Sequence, residues 1–145
     1  MNKIRTESKT ILTIDSNLED VVLVAAVTKI LCSRLPIGEI ACKDVELSVC
    51  EAVNNAVIHA YGNEEGHQVM VAFTVRRDVL VIDVCDQGKP MAELQLPSVV
   101  YNTNDRRCLP ESGMGLFLIR KLMDDVVYKT KDHTNILSMT RYLER

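Results

Sequence analysis

Apolar residues recur every three to four positions in three parts of the chain, and this spacing predicts helices. The first predicted helix starts at the capping-box pattern Ser16-Asn-Leu-Glu19 and ends at Pro36. The second runs from about Glu39 to Ala60, and a third, shorter helix from Gly115 to Met123. Each of the three has one apolar side suited to a core.

Other segments are rich in β-branched residues or alternate between apolar and polar positions, which is typical of strands. They lie at 9–14, 67–75, 79–85, 126–131 and 136–143. The second and third are separated by a short turn, as are the fourth and fifth, so each pair is predicted to form a hairpin.

This order of elements predicts a two-layer α/β (α+β) sandwich, with a mixed, mostly antiparallel sheet and helices on one face. At 145 residues the chain has the size of a single domain, 1–145. The segment from Asp86 to Glu111 has no regular period and contains three prolines. An irregular segment of this length in a small domain is usually functional or mobile.

Composition narrows the class of protein. Hydrophobic residues make up 47% of the chain and charged residues 26%, and the net charge of −3 argues against nucleic acid as the main partner. The N-terminus does not have the pattern of a signal peptide, and no apolar run is long enough to cross a membrane. Five cysteines without paired spacing, with Cys32, Cys50 and Cys85 among apolar residues, favour buried, reduced thiols and a cytoplasmic protein.

The second predicted helix carries Glu51 and Asn55 one turn apart, on the same side. A carboxamide oxygen is a suitable ligand for Mg²⁺, and a carboxylate one turn away can accept a hydroxyl proton. Asn54 is also within a turn of Glu51, and spacing alone does not choose between the two asparagines. A solvated polar helix face explains the same residues at least as well, and His59 on that face is more often structural than catalytic.

Two glycine-bearing segments follow. Asp86-Gln-Gly88 comes directly after an apolar strand, where a carboxylate can accept the exocyclic amine of adenine, although Asp-x-Gly is also a common turn sequence. Ser112-Gly113-Met114-Gly115 opens a helix, where N–H groups can hold an anion, although Ser112 can equally be a simple N-cap. The chain lacks the P-loop pattern, the spacing of a zinc site and the Gly-x-Ser-x-Gly pattern of serine hydrolases.

The order and separation of these motifs resemble the GHKL (Bergerat-type) ATPase superfamily, and in particular the bacterial anti-sigma-factor serine kinases of the RsbW and SpoIIAB type. The resemblance covers nearly the whole chain. It is carried by Glu51-x-x-x-Asn55 with Ala56 and His59, by Asp86-x-Gly88, and by Ser112-Gly-Met-Gly-Leu-Phe-Leu-Ile119 followed by Leu122-Met-Asp-Asp125.

The resemblance implies a Bergerat-type ATP-binding fold and assigns roles to residues. Glu51 would be the general base for a protein serine, and Asn55 the Mg²⁺ ligand. Asp86 would recognise adenine, and Gly88 would shape its pocket. Ser112, Gly113, Met114 and Gly115 would form the phosphate-binding segment. Residues 91–111 would be an ATP lid, which we expect to be mobile without nucleotide and protected by Mg-ATP.

The resemblance also implies an ATP-dependent protein serine/threonine kinase that regulates transcription in a partner-switching circuit. It would sequester a sigma factor as an anti-sigma factor and phosphorylate a serine of a STAS-domain anti-anti-sigma factor, as a homodimer that binds neither nucleic acid nor membrane. The alternative is a nucleotide-dependent module that sequesters a partner without kinase activity. The chain departs from the family pattern in three places. Pro90 stands where a second glycine is usual, and Thr134 and Ile136 stand where the last hairpin usually has Gly and, two residues later, Thr. Glu111 stands where an arginine often precedes the Ser-Gly-Met-Gly motif.

Overall fold

The structure, a computed structural model, describes residues 7–91 and 114–144, with the side chain of Met114 excepted. Its described residues form three α-helices, α1 (Val21–Ser33), α2 (Glu39–Asn55) and α3 (Met114–Leu122). They also form five strands: β1 (Glu7–Asp15), β2 (Gln68–Arg76), β3 (Val79–Asp86), β4 (Asp125–Lys131) and β5 (Thr134–Tyr142). The expected lid, Ser112 and Gly113 lie outside the described residues.

The strands form one sheet in the order β1-β2-β3-β5-β4, and every neighbouring pair is antiparallel. The predicted fold class, a two-layer α/β sandwich, is confirmed, and the described strands include no parallel pair. Both predicted hairpins are present. The β4–β5 turn has positive φ at Asp132 and His133, which is the two-residue geometry that matches the twist of a hairpin.

The core lies between the helices and one face of the sheet. Alternate strand residues meet across the sheet on this face, as in the paired row of Phe73, Ile82 and Met139, all of them buried. Val49 and Val53 of α2 are fully buried in the same cluster. The apolar stripe predicted from the sequence is therefore the surface with which α2 covers the sheet.

The C-terminal end of the second predicted helix differs from the expectation. The α-helix ends at Asn55 and continues as a π-helical turn, Ala56–Ala60, closed by a hydrogen bond of 3.0 Å from Tyr61 N to Ala56 O. A π-helical turn widens the helix by one residue per turn and is frequent at functional sites. It brings His59 and Ala60 to the rim of the cavity described below.

The four cysteines in the described part of the chain are all free thiols. Cys32 and Cys85 are buried as predicted, and burial raises the pKa of Cys32 to about 12. Cys50 is half-buried rather than buried, because it lies one turn after Glu46 on the flank of α2. None of the described helices is long and apolar enough to span a membrane.

Candidate functional site

A cavity of about 280 Å³ lies between the end of α2 and the ends of the central strands. Its walls are mainly apolar, with four polar or charged side chains among them: Asn55, His59, Asp86 and Lys89. The remaining lining residues are Ala52, Ala56, Ala60, Val84, Pro90, Met91, Leu116, Tyr128 and Leu137. A concave apolar site with a few polar groups is typical of small-molecule binding.

Glu51 and Asn55 converge on the first turn of α3. A Cβ atom placed on Gly115 would lie 3.0 Å from Asn55 Nδ2, 3.1 Å from Glu51 Oε2 and 3.2 Å from Asn55 Oδ1. A larger residue here would push the ends of these two side chains aside by a few tenths of an ångström. Asn55, unlike Asn54, both lies against Gly115 and lines the cavity, so the structure separates the two asparagines that spacing left equivalent.

The N-terminus of α3 therefore faces a carboxylate and a carboxamide. The first N–H groups of a helix have no partner within it and attract anions. Of the four residues that the sequence predicts for phosphate contacts, the structure places Gly115 in this turn and includes the backbone of Met114 in the helix. Ser112 and Gly113 stay predictions.

Asp86 also lines the cavity, at the end of β3. Its Oδ1 accepts hydrogen bonds from Gly88 N at 3.0 Å and from Asn135 Nδ2 at 2.8 Å. Burial raises the pKa of the Asp86 carboxyl, and the two hydrogen bonds partly oppose this shift because they favour the charged form. The turn expected for Asp-x-Gly is present, and it also fixes a half-buried carboxylate at the cavity.

Gly88 is required where the chain passes the end of α2. A Cβ atom at this position would fall within 3.0 Å of the Ala60 carbonyl group, a separation that real Cβ atoms essentially never show. The close approach is maintained by a hydrogen bond of 2.9 Å from Lys89 N to Ala60 O. Gly88 therefore shapes the cavity by allowing backbone to pack on backbone.

Sequence analysis missed Asn135, Tyr61 and Tyr128. Asn135 is 1% exposed and lies directly opposite Asp86 in the β3–β5 pair. Its neighbours Thr134 and Ile136 are departures from the family pattern. The sequence does show an amide side chain on the buried side of a strand that is otherwise apolar there. Which residue that amide contacts depends on the pairing of β3 with β5, which the local sequence does not show.

The profile of the histidine kinase-like ATPase domain family matches residues 14–141. The chain belongs to this family. The resemblance inferred from the motifs is thereby confirmed, and Glu51, Asn55, Asp86, Gly88 and Gly115 all fall within the matched residues.

The chain is similar to two serine-protein kinases over part of their length. Serine-protein kinase RsbW of Bacillus mycoides (strain KBAB4) is 36% identical over 106 residues, which cover 71% of this chain and 65% of the relative. Serine-protein kinase RsbW of Staphylococcus epidermidis is 39% identical over 108 residues, covering 71% of this chain and 67% of the relative. The chain thus spans about two thirds of the length of these relatives.

A solved structure shares the fold. The crystal structure of the RsbU and RsbW domains of a Mycobacterium tuberculosis protein matches with a TM-score of 0.66 and 16% identity, over 95% of this chain and 33% of that chain. At this identity the likeness concerns the fold alone, and it confirms the predicted arrangement of sheet and helices.

Proposed function

We propose that this histidine kinase-like ATPase domain is an ATP- and Mg²⁺-dependent protein serine/threonine kinase. One observation carries the proposal: Glu51 and Asn55 meet at the N-terminus of α3, and Asn55 lines the same cavity as Asp86. A base-reading carboxylate and a phosphate-binding helix start thus flank one cavity. The identity to serine-protein kinases RsbW supports the same activity.

The residues present fit an adenine nucleotide. The apolar walls suit a planar base, and the Asp86 carboxylate can accept a hydrogen bond from an exocyclic amine. The missing Cβ of Gly115 leaves space where a phosphate and its cation would meet Asn55 and the helix N–H groups. Asn55 would hold Mg²⁺ through its amide oxygen, and the cation would neutralise phosphate charge when bound.

Glu51 then acts on the second substrate. Its carboxylate accepts the proton of a serine hydroxyl while the serine oxygen forms a bond to the γ-phosphorus. The bond between the γ-phosphorus and the bridging oxygen breaks, so that ADP leaves and phosphoserine forms. The N–H groups of α3 keep the phosphates in place throughout.

For the wider role we propose an anti-sigma factor. The protein would sequester a sigma factor and phosphorylate a STAS-domain anti-anti-sigma factor, which would release that antagonist and regulate transcription by partner switching. Residues 1–145 would act as one domain, in a homodimer in the cytoplasm, with neither nucleic acid nor membrane as a direct partner. The RsbW names of the relatives and the net charge of −3 support this assignment.

The test is to incubate the protein with Mg-ATP and each STAS-domain protein of the source genome, and to search for phosphoserine by mass spectrometry. We expect one STAS-domain protein to gain a single phosphate on serine. If Mg-ATP binds but no STAS-domain protein is phosphorylated, the kinase proposal is wrong and the protein is a nucleotide-dependent sequestering module.

The Gly115→Ala variant tests the phosphate end of the site. The new Cβ would push the ends of Glu51 and Asn55 aside by a few tenths of an ångström, so we expect Mg-ATP affinity to fall by about two- to tenfold, the effect of one weakened polar contact. Gly38→Ala is the matched control, because a Cβ there meets only Glu144 Oε1, at 3.7 Å. Equal affinities for the two variants in a titration would contradict the assignment.

A further inference from the structure

The segment that leaves β3, residues 86–91, runs along the rim of the cavity, and we call it the strap. After Asp86 it has four backbone N–H groups, since Pro90 has none, and each of the four donates a hydrogen bond. The bonds are Gln87 N to Tyr61 Oη at 2.7 Å, Gly88 N to Asp86 Oδ1 at 3.0 Å, Lys89 N to Ala60 O at 2.9 Å and Met91 N to Tyr128 Oη at 2.9 Å.

The side chains that hold the strap come from three separate parts of the fold. Tyr61 follows the π-helical turn, is 9% exposed, and donates its own hydroxyl hydrogen to Gln68 O at 2.7 Å. Tyr128 is a half-buried residue of β4, and Asn135 is a buried residue of β5. A segment held from three sides in this way keeps one shape without help from a ligand.

Asn135 has a partner for both ends of its amide group. Its Oδ1 accepts from Thr130 Oγ1 at 2.8 Å, which sets the amide so that Nδ2 faces the strap. Nδ2 then donates to Asp86 Oδ1 at 2.8 Å and to Gly88 O at 2.9 Å. One buried side chain thus fixes both the carboxylate and the backbone two residues later.

This arrangement makes the two carboxylate oxygens of Asp86 differ in their hydrogen bonding. Both hydrogen bonds that the described residues make to this carboxylate fall on Oδ1. A base amine that approaches through the cavity would therefore bind Oδ2. Because the carboxylate is already oriented, binding would not have to include the entropic cost of ordering it.

We propose that Tyr128 and Asn135 are positioning residues that hold the strap in its base-reading shape before nucleotide binds, and that Asn135 reserves Oδ2 of Asp86 for the base amine. This inference rests on the proposed ATP binding. Pro90, which stands where the family pattern has a glycine, fits the same account, because its ring fixes φ and so limits the shapes that the strap can adopt.

The proposal has a consequence for pH dependence. Burial raises the pKa of Asp86, and the Asn135 hydrogen bond opposes the shift, so its loss moves the pKa further up. A protonated Asp86 presents a donor and loses its preference for an amine. Other titratable groups line the pockets around Asp86, and from β5 it is the uncharged Asn135 that contacts this carboxylate. They are His59 in the π-helical turn, Tyr61 after it, His67 before β2, Cys85 on β3, Lys89 on the strap and Tyr128 on β4.

The experiment uses three variants of the whole protein: Asn135→Leu, Tyr128→Phe and, as a control, Tyr142→Phe, which makes the same chemical change at a tyrosine that is 65% exposed. Hydrogen exchange of the amides of residues 87, 88, 89 and 91 is measured without nucleotide. ATP and GTP affinities are then measured from about pH 4, near the ordinary range of an aspartate carboxyl, up to about pH 8.

We expect slow exchange at all four amides in the wild type and in Tyr142→Phe. Exchange at residue 91 should be at least about tenfold faster in Tyr128→Phe, with ATP affinity lower by about two- to tenfold, the effect of one lost hydrogen bond. Asn135→Leu should lower ATP affinity by about tenfold, because it removes a partner of the half-buried Asp86 carboxylate. As pH falls, this variant should lose the ATP preference at a higher pH than the wild type does. Both proteins share the other titratable groups, so the difference between their profiles reports on Asp86.

Fast exchange of the strap amides in the wild type would overturn the inference. So would an Asn135→Leu protein that keeps the wild-type ATP preference and pH profile, because a residue with only a structural role would change stability and leave this profile unmoved. If the wild type binds neither nucleotide while its strap amides exchange slowly, the proposed function is wrong and the preformed strap stands, since the exchange measurement involves no nucleotide.

Discussion

Replacing Glu51 by Gln is expected to reduce phosphate transfer to serine by about 10²–10⁴-fold, the usual contribution of a general base, while Mg-ATP binding stays near the wild-type level. Glutamine keeps the size and polarity of the side chain beside Gly115 and Asn55 but does not accept the hydroxyl proton. Single-turnover transfer rates and a separate nucleotide titration distinguish the two effects.

Glu39→Gln is the matched control for this prediction. Glu39 lies in the first turn of the same helix, and its side chain is 87% exposed and pairs only loosely with Lys43, at 3.7 Å. We expect its transfer rate to equal that of the wild type. Equal rates in all three proteins would show that Glu51 is not the base.

The Asp86→Asn variant is expected to narrow the preference for ATP over GTP. Guanine presents a carbonyl where adenine presents an amine, so the Asp86 carboxylate would face an acceptor. The unpaired groups cost about 1–3 kcal/mol, which is roughly five- to 150-fold in affinity. Asparagine can turn a donor toward the guanine carbonyl and so loses the distinction. Titrations with the two nucleotides measure the change.

The same variant is expected to lose nucleotide selectivity but to gain thermal stability. Burial raises the pKa of Asp86 above its ordinary value of 3.8, so the folded state binds this proton more tightly than the unfolded state. The ionised carboxylate therefore costs stability as pH rises from about 4, and Asp86→Asn should melt at a higher temperature than the wild type at pH 7. The difference should vanish as pH falls below the unfolded pKa.

Asp83→Asn serves as the control for both measurements, because Asp83 is on the same strand but alternates to the other face, between the buried residues Ile82 and Val84. It should leave the ATP preference unchanged. If Asp86→Asn keeps the full preference for ATP, Asp86 is a structural turn residue and not a base-reading group. If the variant is less stable than the wild type at neutral pH, the argument that burial of the ionised carboxylate costs stability is wrong.

Local patterns were sufficient for most of the fold. Apolar periodicity located α1, α2 and α3, and alternation located all five strands of the described residues to within a few positions. Periodicity and alternation both reflect which side of an element is buried, and the order of apolar and polar residues along that element shows it. The π-helical turn was not predicted, because it is a change in hydrogen-bond register that leaves the apolar spacing almost the same.

Contacts between distant parts of the chain were harder to predict. The order β1-β2-β3-β5-β4 brings Asn135 beside Asp86, 49 positions earlier, and nothing local to either residue indicates the other. Convergence of Glu51 and Asn55 on Gly115 has the same origin, and it is the contact that separates Asn55 from Asn54. Motif order therefore selected residues that the fold brings close together, and their role in a site stays a prediction, while strand and helix packing decided how they are held.

The central claim is that Asp86 and the cluster of Glu51, Asn55 and Gly115 bind opposite ends of one nucleotide. A crystal structure with Mg²⁺ and a non-hydrolysable ATP analogue tests it most directly. We predict the adenine amine about 3 Å from Asp86 Oδ2, the Mg²⁺ about 2.1 Å from Asn55 Oδ1, and the γ-phosphate at the N-terminus of α3 near Glu51. A nucleotide bound elsewhere, or with its phosphates at Asp86 and its base at Gly115, would contradict the account.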